Sequence, residues 1–315
     1  MKVLITGGGG FIGSHLADAL VATGDDVLVL DNYATGSSSN LTEHGGLTVV
    51  EGSVADASVV EEQTSSFAPD VIVHAAASYE DPDAWETDAL VNAVGSAIVA
   101  KAAEKFGVGR LIYLQTALCY GVKPLEQPVT TSHPLRPSES SYAISKTAGE
   151  CYVRLANVPT LSFRLANVYG PRNLSGPLPT FFARLTADKS CFVMDTRRDF
   201  VYVDDLIALL ERAVRGEGNP GVYHASSGQD CSIKELYDAT VAALGLPPDT
   251  GVEVRPRGDD DAFTILLDPS ETRSAFPSWV AKTPLDKGVG EAVRWYREHG
   301  VQRTFTHLRM PETRA

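Results

Sequence analysis

The chain has 315 residues, 43% hydrophobic and 21% charged, enough to bury a sizeable core in one large domain or two modest ones. Its net charge of −13 argues against a nucleic acid or an anionic membrane surface as partner. No apolar run reaches the ~18 residues that span a bilayer, and the four cysteines, at 119, 151, 191 and 231, have no metal-ligand spacing, so a reduced cytoplasmic chain without a metal is expected.

The first run, KVLIT at 2–6, is followed by VLVL (27–30), LTVV (47–50), DVIVHAA (70–76), RLIYLQT (110–116) and PTLSFRL (159–165). These near-continuous apolar runs read as strands of a parallel sheet covered on both faces. Amphipathic stretches separate them. Leu90, Val94, Ala97 and Ile98 recur at helical spacing within 88–106, and 141–156 reads as another helix. The alternation predicts an α/β fold, a Rossmann-type doubly wound parallel sheet. GSSSN at 36–40 is expected to be a mobile loop near the second strand. Past Gly170 the segment GPRNLSGPLPTFF reads as a long loop or linker. A helix over 179–187, a strand near 191–194, and helices over 204–215 and 285–299 then build a smaller mixed α/β lobe. The expected division is 1–168 for the dinucleotide domain, rejoined by 198–222, and 169–315 for the smaller lobe. Ligands of open α/β sheets lie in the crevice at the carboxyl ends of the strands.

VLITGGGGFIGSHL follows the first strand and opens a helix. Gly8, Gly10 and Gly13 fit one dinucleotide-binding spacing, and Gly7, Gly10 and Gly13 fit a related one. Either lets backbone N–H groups approach a pyrophosphate at a helix N-terminus, where the dipole favours negative charge. Asp31 ends the second strand, 18 residues past Gly13, where an acid hydrogen-bonds the adenosine ribose. An acid there repels a 2′-phosphate and favours NAD over NADP; the adjacent Asn32 either assists or shapes the turn.

Tyr142 and Lys146 lie four apart, on one face of a helix, and Thr116 ends the fifth strand beside the same crevice. A phenol ionises near pH ~10, and bringing it to neutrality takes about 4 kcal/mol. A lysine ammonium about 4 Å away supplies roughly that at an effective dielectric near ~20, and a positive nicotinamide ring adds to it. On this expectation Tyr142 deprotonates a sugar-type alcohol, Lys146 supports it and Thr116 shares the hydrogen bond.

With these residues in place, the chain resembles the extended short-chain dehydrogenase/reductases of the nucleotide-sugar epimerase/dehydratase group. TGGGGFIG, Asp31-Asn32, HAAA, Asn92, Thr116, YAISK, RLANVYGPR and RRDFVYVDDL occur in the family's order across nearly the whole chain. The resemblance implies that Thr116, Tyr142 and Lys146 are catalytic. It implies a cofactor set of Gly7, Gly10, Phe11, Ile12, Gly13, Asp31, Asn32, Ser53, Val54, Ala75 and Ala76, with Tyr142 and Lys146. It implies that Asn167 and Arg198 hold a nucleoside diphosphate, with Asp260 and Asp261 near its ribose or phosphates and Thr116, Ala117 and Tyr142 around the sugar. Ser53 departs from the acid the family often has near the adenine, and VMDTRRDF lacks the usual glycine-containing turn. A homodimer through two helices per subunit is also implied.

In the family's sugar dehydratases an Asp-Glu pair occupies the positions of Ala117 and Leu118, and in its uronate decarboxylases a glutamate occupies that of Leu118. Eliminating water from a 4-keto sugar needs an acid and a base, and alanine and leucine are neither. What remains is 4-epimerisation of a UDP-sugar. The texture of QTALCYG and RLANVYGPR most resembles epimerases acting on UDP-uronic acids, which implies UDP-glucuronate as substrate. Arg172 is the candidate to meet a C6 carboxylate; the alternative is that it caps its loop or pairs with an acid of the other lobe. Two rival readings are a neutral UDP-glucose or UDP-N-acetylglucosamine 4-epimerase and a non-catalytic nucleotide-sugar or NAD(H) sensor. Arg197 is expected to turn away from the ligand, Asn92 to tie backbone, and His133, His224 and Trp279 to be structural or surface residues.

Overall fold

The structure is a computed structural model, and it describes residues 1–138, 140–258, 261–301 and 303–305. The six apolar runs form strands β1 (Lys2–Thr6), β2 (Asp26–Asp31), β3 (Leu47–Glu51), β4 (Val71–His74), β5 (Arg110–Thr116) and β6 (Thr160–Leu165). Downstream lie β7 (Asn167–Tyr169), β8 (Phe192–Met194), β9 (Arg197–Arg198), β10 (Phe200–Tyr202), β11 (Gly221–Ala225), β12 (Cys231–Ser232) and β13 (Glu253–Arg255). The main sheet has seven parallel strands in the order β11-β6-β5-β4-β1-β2-β3. From β1 the chain winds outward through β2 and β3, then crosses to β4 on the other side. That reversal opens a crevice beyond the ends of β1 and β4, the switch point of a doubly wound sheet. The strand that completes the sheet, β11, extends to Ala225, slightly past the 198–222 return expected from sequence.

Helices α1 (Phe11–Ala22), α2 (Ala57–Phe67), α3 (Trp85–Asp88), α4 (Ser96–Lys105) and α5 (Ser141–Val153) connect the first strands. After them come α6 (Pro177–Leu185), α7 (Val203–Val214), α8 (Ile233–Leu244), α9 (Ser270–Ala275) and α10 (Leu285–His299). Strand alternation sorts the core into two layers. Val3 and Ile5 pack into one cluster with Leu16 and Leu20 of α1 and Leu206 and Leu210 of α7. Leu4, between them, packs into the other with Val60 of α2, Val99 of α4 and Val153 of α5. Three two-stranded pieces, β7 with β10, β8 with β13 and β9 with β12, supply the second lobe. Helix α8 starts there with a reciprocal cap: Ser232 Oγ accepts from Glu235 N, and the Glu235 carboxylate accepts from Ser232 N.

Two local expectations change. The helix expected over 88–106 is three segments, because Ala89–Gly95 is a π-helical turn between α3 and α4. Its wide turn admits α5: a Cβ on Gly149 would collide with the Asn92 carbonyl and lie 2.6 Å from Tyr113 Oη. The GSSSN segment is not an isolated loop. Ser38–Asn40 forms a 3-10 turn, and Gly9 O accepts from both Ser37 N and Asn40 Nδ2 at 3.0 Å.

Candidate active site

The glycine loop resolves its own ambiguity. Gly7 takes the left-handed turn at φ +72°, and Gly10 is the N-cap of α1. A Cβ on Gly13 would strike the Gly7 carbonyl and sit 2.7 Å from Gly8 Cα. The 7-10-13 spacing is therefore the one in use, while Gly8 packs against Val29. Gly10 has no side chain to cap α1, and no acid sits in its first turn, so its N-terminal N–H groups open toward the crevice. Asp31 is turned to the same place: its Oδ2 accepts from Gly9 N and its Oδ1 from Tyr33 N, each at 2.7 Å. Asn32 Oδ1 accepts from Ala34 N at 3.2 Å, so its side chain shapes the turn. Phe11, Ile12, Ser53, Val54, Ala75 and Ala76 line this half of the crevice with the glycines.

Thr116, Tyr142 and Lys146 come together where that half ends. Thr116 Oγ1 accepts from Leu118 N at 3.2 Å and also hydrogen-bonds Tyr142. Ser140 caps α5 and so fixes the turn that presents Tyr142. Lys146 is 2% exposed, and its Nζ stands 4.2 Å from the centroid of the Tyr113 ring. Asn92 ties backbone, as expected: its Oδ1 accepts from Ser78 N, and its Nδ2 donates to Ser78 O and Ser145 Oγ. Below, His74 is buried between Thr6 Oγ1 and Ser96 Oγ, and burial drives its pKa down to about 3, so it is neutral.

The electrostatics correct the sequence expectation. Lys146 does not bring the phenol toward neutrality in the protein alone. Burial, then Tyr79 and Asp88, hold Tyr142 above its ordinary range, and the Thr116 hydrogen bond pulls the other way. Lys146 is itself desolvated: burial lowers its pKa to about 7, against the opposing pull of Glu150. Glu150 lies one turn further along α5, buried, with its Oε2 held by Arg164 Nη2 at 3.0 Å. Arg164 Nη1 donates to Tyr120 Oη, which pairs with His224 Nε2 at 2.6 Å.

Beyond Thr116 the crevice continues between the lobes, along Ala117, Leu118, Asn167, Arg198 and Asp261. Asn167 N donates to Asp199 O, which fixes that residue at the seam. Arg198 pairs with Asp261 at 2.7 Å and donates to Ala262 O at 2.9 Å. Arg197 turns away to Asp230. Asp260 lies outside the described residues. Arg172 does not meet the sugar compartment. It stands at φ +65°, and its guanidinium reaches back to α1, to Asp18 at 2.7 Å and Ser14 at 3.1 Å. It pairs with an acid of the other lobe, which removes it as the candidate for a C6 carboxylate. His133, His224 and Trp279 are buried structural residues: His133 Nε2 accepts from Leu125 N, His224 Nδ1 meets Asp268 O, and Trp279 Nε1 donates to Asp205 O.

Sequence reasoning missed Tyr79, Glu150 and Arg164. Glu150 carried a signal, its helical spacing from Lys146. Arg164 and Tyr79 carried none, since each meets the site from another part of the chain. Among the described residues, no group of three or more His, Cys, Asp or Glu side chains could hold a metal, and no helix is long and apolar enough to cross a membrane.

A family model described as the NAD dependent epimerase/dehydratase family matches residues 3–225. Among curated proteins, a UDP-glucose 4-epimerase of Mycolicibacterium smegmatis is 31% identical over 319 residues, 94% of this chain and 99% of that protein. Among solved structures, the Bordetella bronchiseptica enzyme WbmH in complex with NAD+ is 53% identical with a TM-score of 0.92, covering 95% of this chain and 99% of that one. The UDP-glucose 4-epimerase of Thermotoga maritima, with UDP-glucose, is 27% identical with a TM-score of 0.86, covering 95% and 99%.

Proposed function

The chain belongs to the NAD-dependent epimerase/dehydratase family, and from that premise we propose that it catalyses NAD-dependent 4-epimerisation of a UDP-sugar. The observation that carries the reading is the wall beside Thr116. Ala117 and Leu118 line the sugar end of the crevice, where elimination or decarboxylation needs a proton-handling group. The glycine loop, the α1 N-terminus and Asp31 would hold the dinucleotide, with Tyr142 and Lys146 at its reactive end. When bound, NAD supplies the hydride acceptor for C4 and a positive ring charge beside the phenol. Tyr142 then takes the C4 hydroxyl proton, Thr116 steadies that oxygen by hydrogen bonding, and Lys146 offsets the phenolate charge. Once the ring has turned over, Tyr142 returns the proton to the C4 oxygen, and the inversion itself would lie in hydride return from the reduced cofactor to the opposite face of C4. An intact Thr116, Tyr142 and Lys146 set speaks against a sensor, since binding alone needs no activated phenol.

The sugar divides into two readings. UDP-glucuronate rests on resemblance, because Arg172 is engaged by Asp18. A neutral UDP-hexose is favoured by the crevice itself: Glu80 lines the cofactor half with Oε2 buried and unpartnered, and the sugar end carries no arginine that is not already bonded within the described chain. Proton NMR of the pure protein with a panel of UDP-sugars tests both. The expected result is inversion at C4 without net reduced cofactor, and in D2O without deuterium at C5. Net accumulation of reduced cofactor, or deuterium at C5, overturns the reading.

A homodimer is also proposed. Trp85, Leu90 and Val94 on the α3 and π segments, Ile144 and Tyr152 on the adjacent α5, and Leu155 just past its end are exposed and suit a second copy. Sedimentation equilibrium should return about twice the chain mass.

A further inference from the structure

Two aromatic rings lie across the crevice beside the reacting compartment. Tyr79 leaves the loop after β4 with its ring edge-on to Tyr142, centroids 6.4 Å apart, and edge-on to Phe305 at 6.2 Å. Its hydroxyl hydrogen-bonds Thr35, beyond β2, so the side chain bridges two loops over the cofactor half. Phe305 lines the other half and is 8% exposed. It is fixed by its backbone: its N donates to Leu174 O at 2.9 Å, and its O accepts from Ser175 Oγ at 3.1 Å and Gly176 N at 3.4 Å. Ser175 and Gly176 line both halves. Arg303 covers the Phe305 ring from 4.9 Å.

A 4-epimerase has an unusual requirement. The ketone must leave the catalytic phenol, turn over and return without escaping. Hydrogen-bonding groups on the wall would hold one face of the sugar against rotation. Aromatic edges hold neither face but still close the space. We propose that Phe305, acting through Tyr79, is a positioning residue that retains the 4-keto sugar while it turns over; this rests on the 4-epimerase reading. Oxidation breaks the C4–H and O–H bonds, sending a hydride to the nicotinamide and a proton to Tyr142. The return step needs both, and the ketone. A ketone that escapes leaves one reduced cofactor per site and an enzyme that has stopped.

The test uses the full-length holoenzyme carrying Phe305→Ala, with the UDP-sugar that the wild type converts. Reduced cofactor is followed by its near-ultraviolet absorbance, and released ketone is trapped with borodeuteride and counted as deuterium at C4. The expected result is a rise of about tenfold or more in ketone released per epimerisation. The progress curve should die as reduced cofactor approaches one per site. Phe305→Ala with a wild-type ratio, at whatever rate, overturns the proposal. If that variant does not fold, Phe305→Leu is read in the same way. If the wild type converts no UDP-sugar, the epimerase reading falls by itself. The contact of Phe305 with Tyr79 across the crevice is then judged on the release rate of bound NAD: about tenfold faster in the variant supports closure over the crevice, and an equal rate overturns it.

Discussion

The two halves of the crevice are built from different materials. The cofactor half is backbone against backbone: Gly13 on the Gly7 carbonyl, Asp31 on the amides of Gly9 and Tyr33, and the uncapped start of α1. The other half is side chain against side chain, with Arg198 on Asp261, carried by strands of two or three residues. Backbone packing leaves no room for substitution, whereas a charged pair tolerates loss at modest cost. Damage in the first half should therefore be structural and abrupt, and damage in the second graded.

The seam between the halves should give the largest effect. Tyr142→Phe is expected to lower turnover about 10²–10⁴-fold while UDP-sugar affinity, measured by calorimetry, stays near wild type. A variant with near-normal turnover removes Tyr142 as the base.

Lys146 belongs to the cofactor half by position but is a buried charge, so it tests whether that half is stable because of its polar groups or despite them. Its folded pKa of about 7 lies below the ordinary lysine value of 10.5. Below pH 7 the folded chain therefore carries the full burial penalty, and the penalty fades as pH rises toward 10.5. Lys146→Met should abolish turnover yet raise thermal stability, on the order of a few kcal/mol near pH ~6 and less near pH ~9. A variant less stable than wild type at the lower pH contradicts this.

Gly13→Ala sets a Cβ against the Gly7 carbonyl and should cost about 1–3 kcal/mol in chemical denaturation, with NAD binding weakened in parallel. Unchanged stability would mean that the loop has room the structure does not give it.

The two arginines make the graded contrast. Arg198→Ala removes a charge-assisted contact worth about 1.5–3 kcal/mol and should raise KM for a UDP-sugar roughly tenfold to a hundredfold, with a smaller change in kcat. Arg172→Ala breaks a half-exposed pair with Asp18 and should cost about 1 kcal/mol or less. Substrate preference should not move. If Arg172→Ala alters the ratio of UDP-glucuronate to UDP-glucose turnover, its side chain leaves Asp18 in the working enzyme.

The contrast between the halves is also a contrast in what could be read from the chain. The glycine spacing, Asp31 and the four-residue step from Tyr142 to Lys146 are local patterns, and local geometry produces them: a tight turn, a strand end, one helix face. The inner strands were legible because strands covered on both faces are mostly apolar, whereas β3, at the sheet edge, is largely exposed and was read from its β-branched residues alone. The π turn was not, since it packs closely against Gly149, more than fifty residues away on α5. The direction of Arg172 stayed open between a sugar carboxylate and an acid of the other lobe, because its partners Asp18 and Ser14 are more than a hundred residues away in the chain.

The sequence by itself determined the doubly wound sheet, the glycine loop and the three side chains, Thr116, Tyr142 and Lys146, that meet in the crevice, since each rests on patterns within one turn or one strand. Tertiary structure alone decided the charge state of those residues and the walls around them. Burial raises Tyr142 and lowers Lys146 through desolvation, which depends on everything packed about them. Tyr79 and Phe305 reach the site, and Arg164 reaches Glu150, from segments that no periodicity connects to it. Side-chain direction across such distances is fixed by packing, and packing is a property of the folded chain.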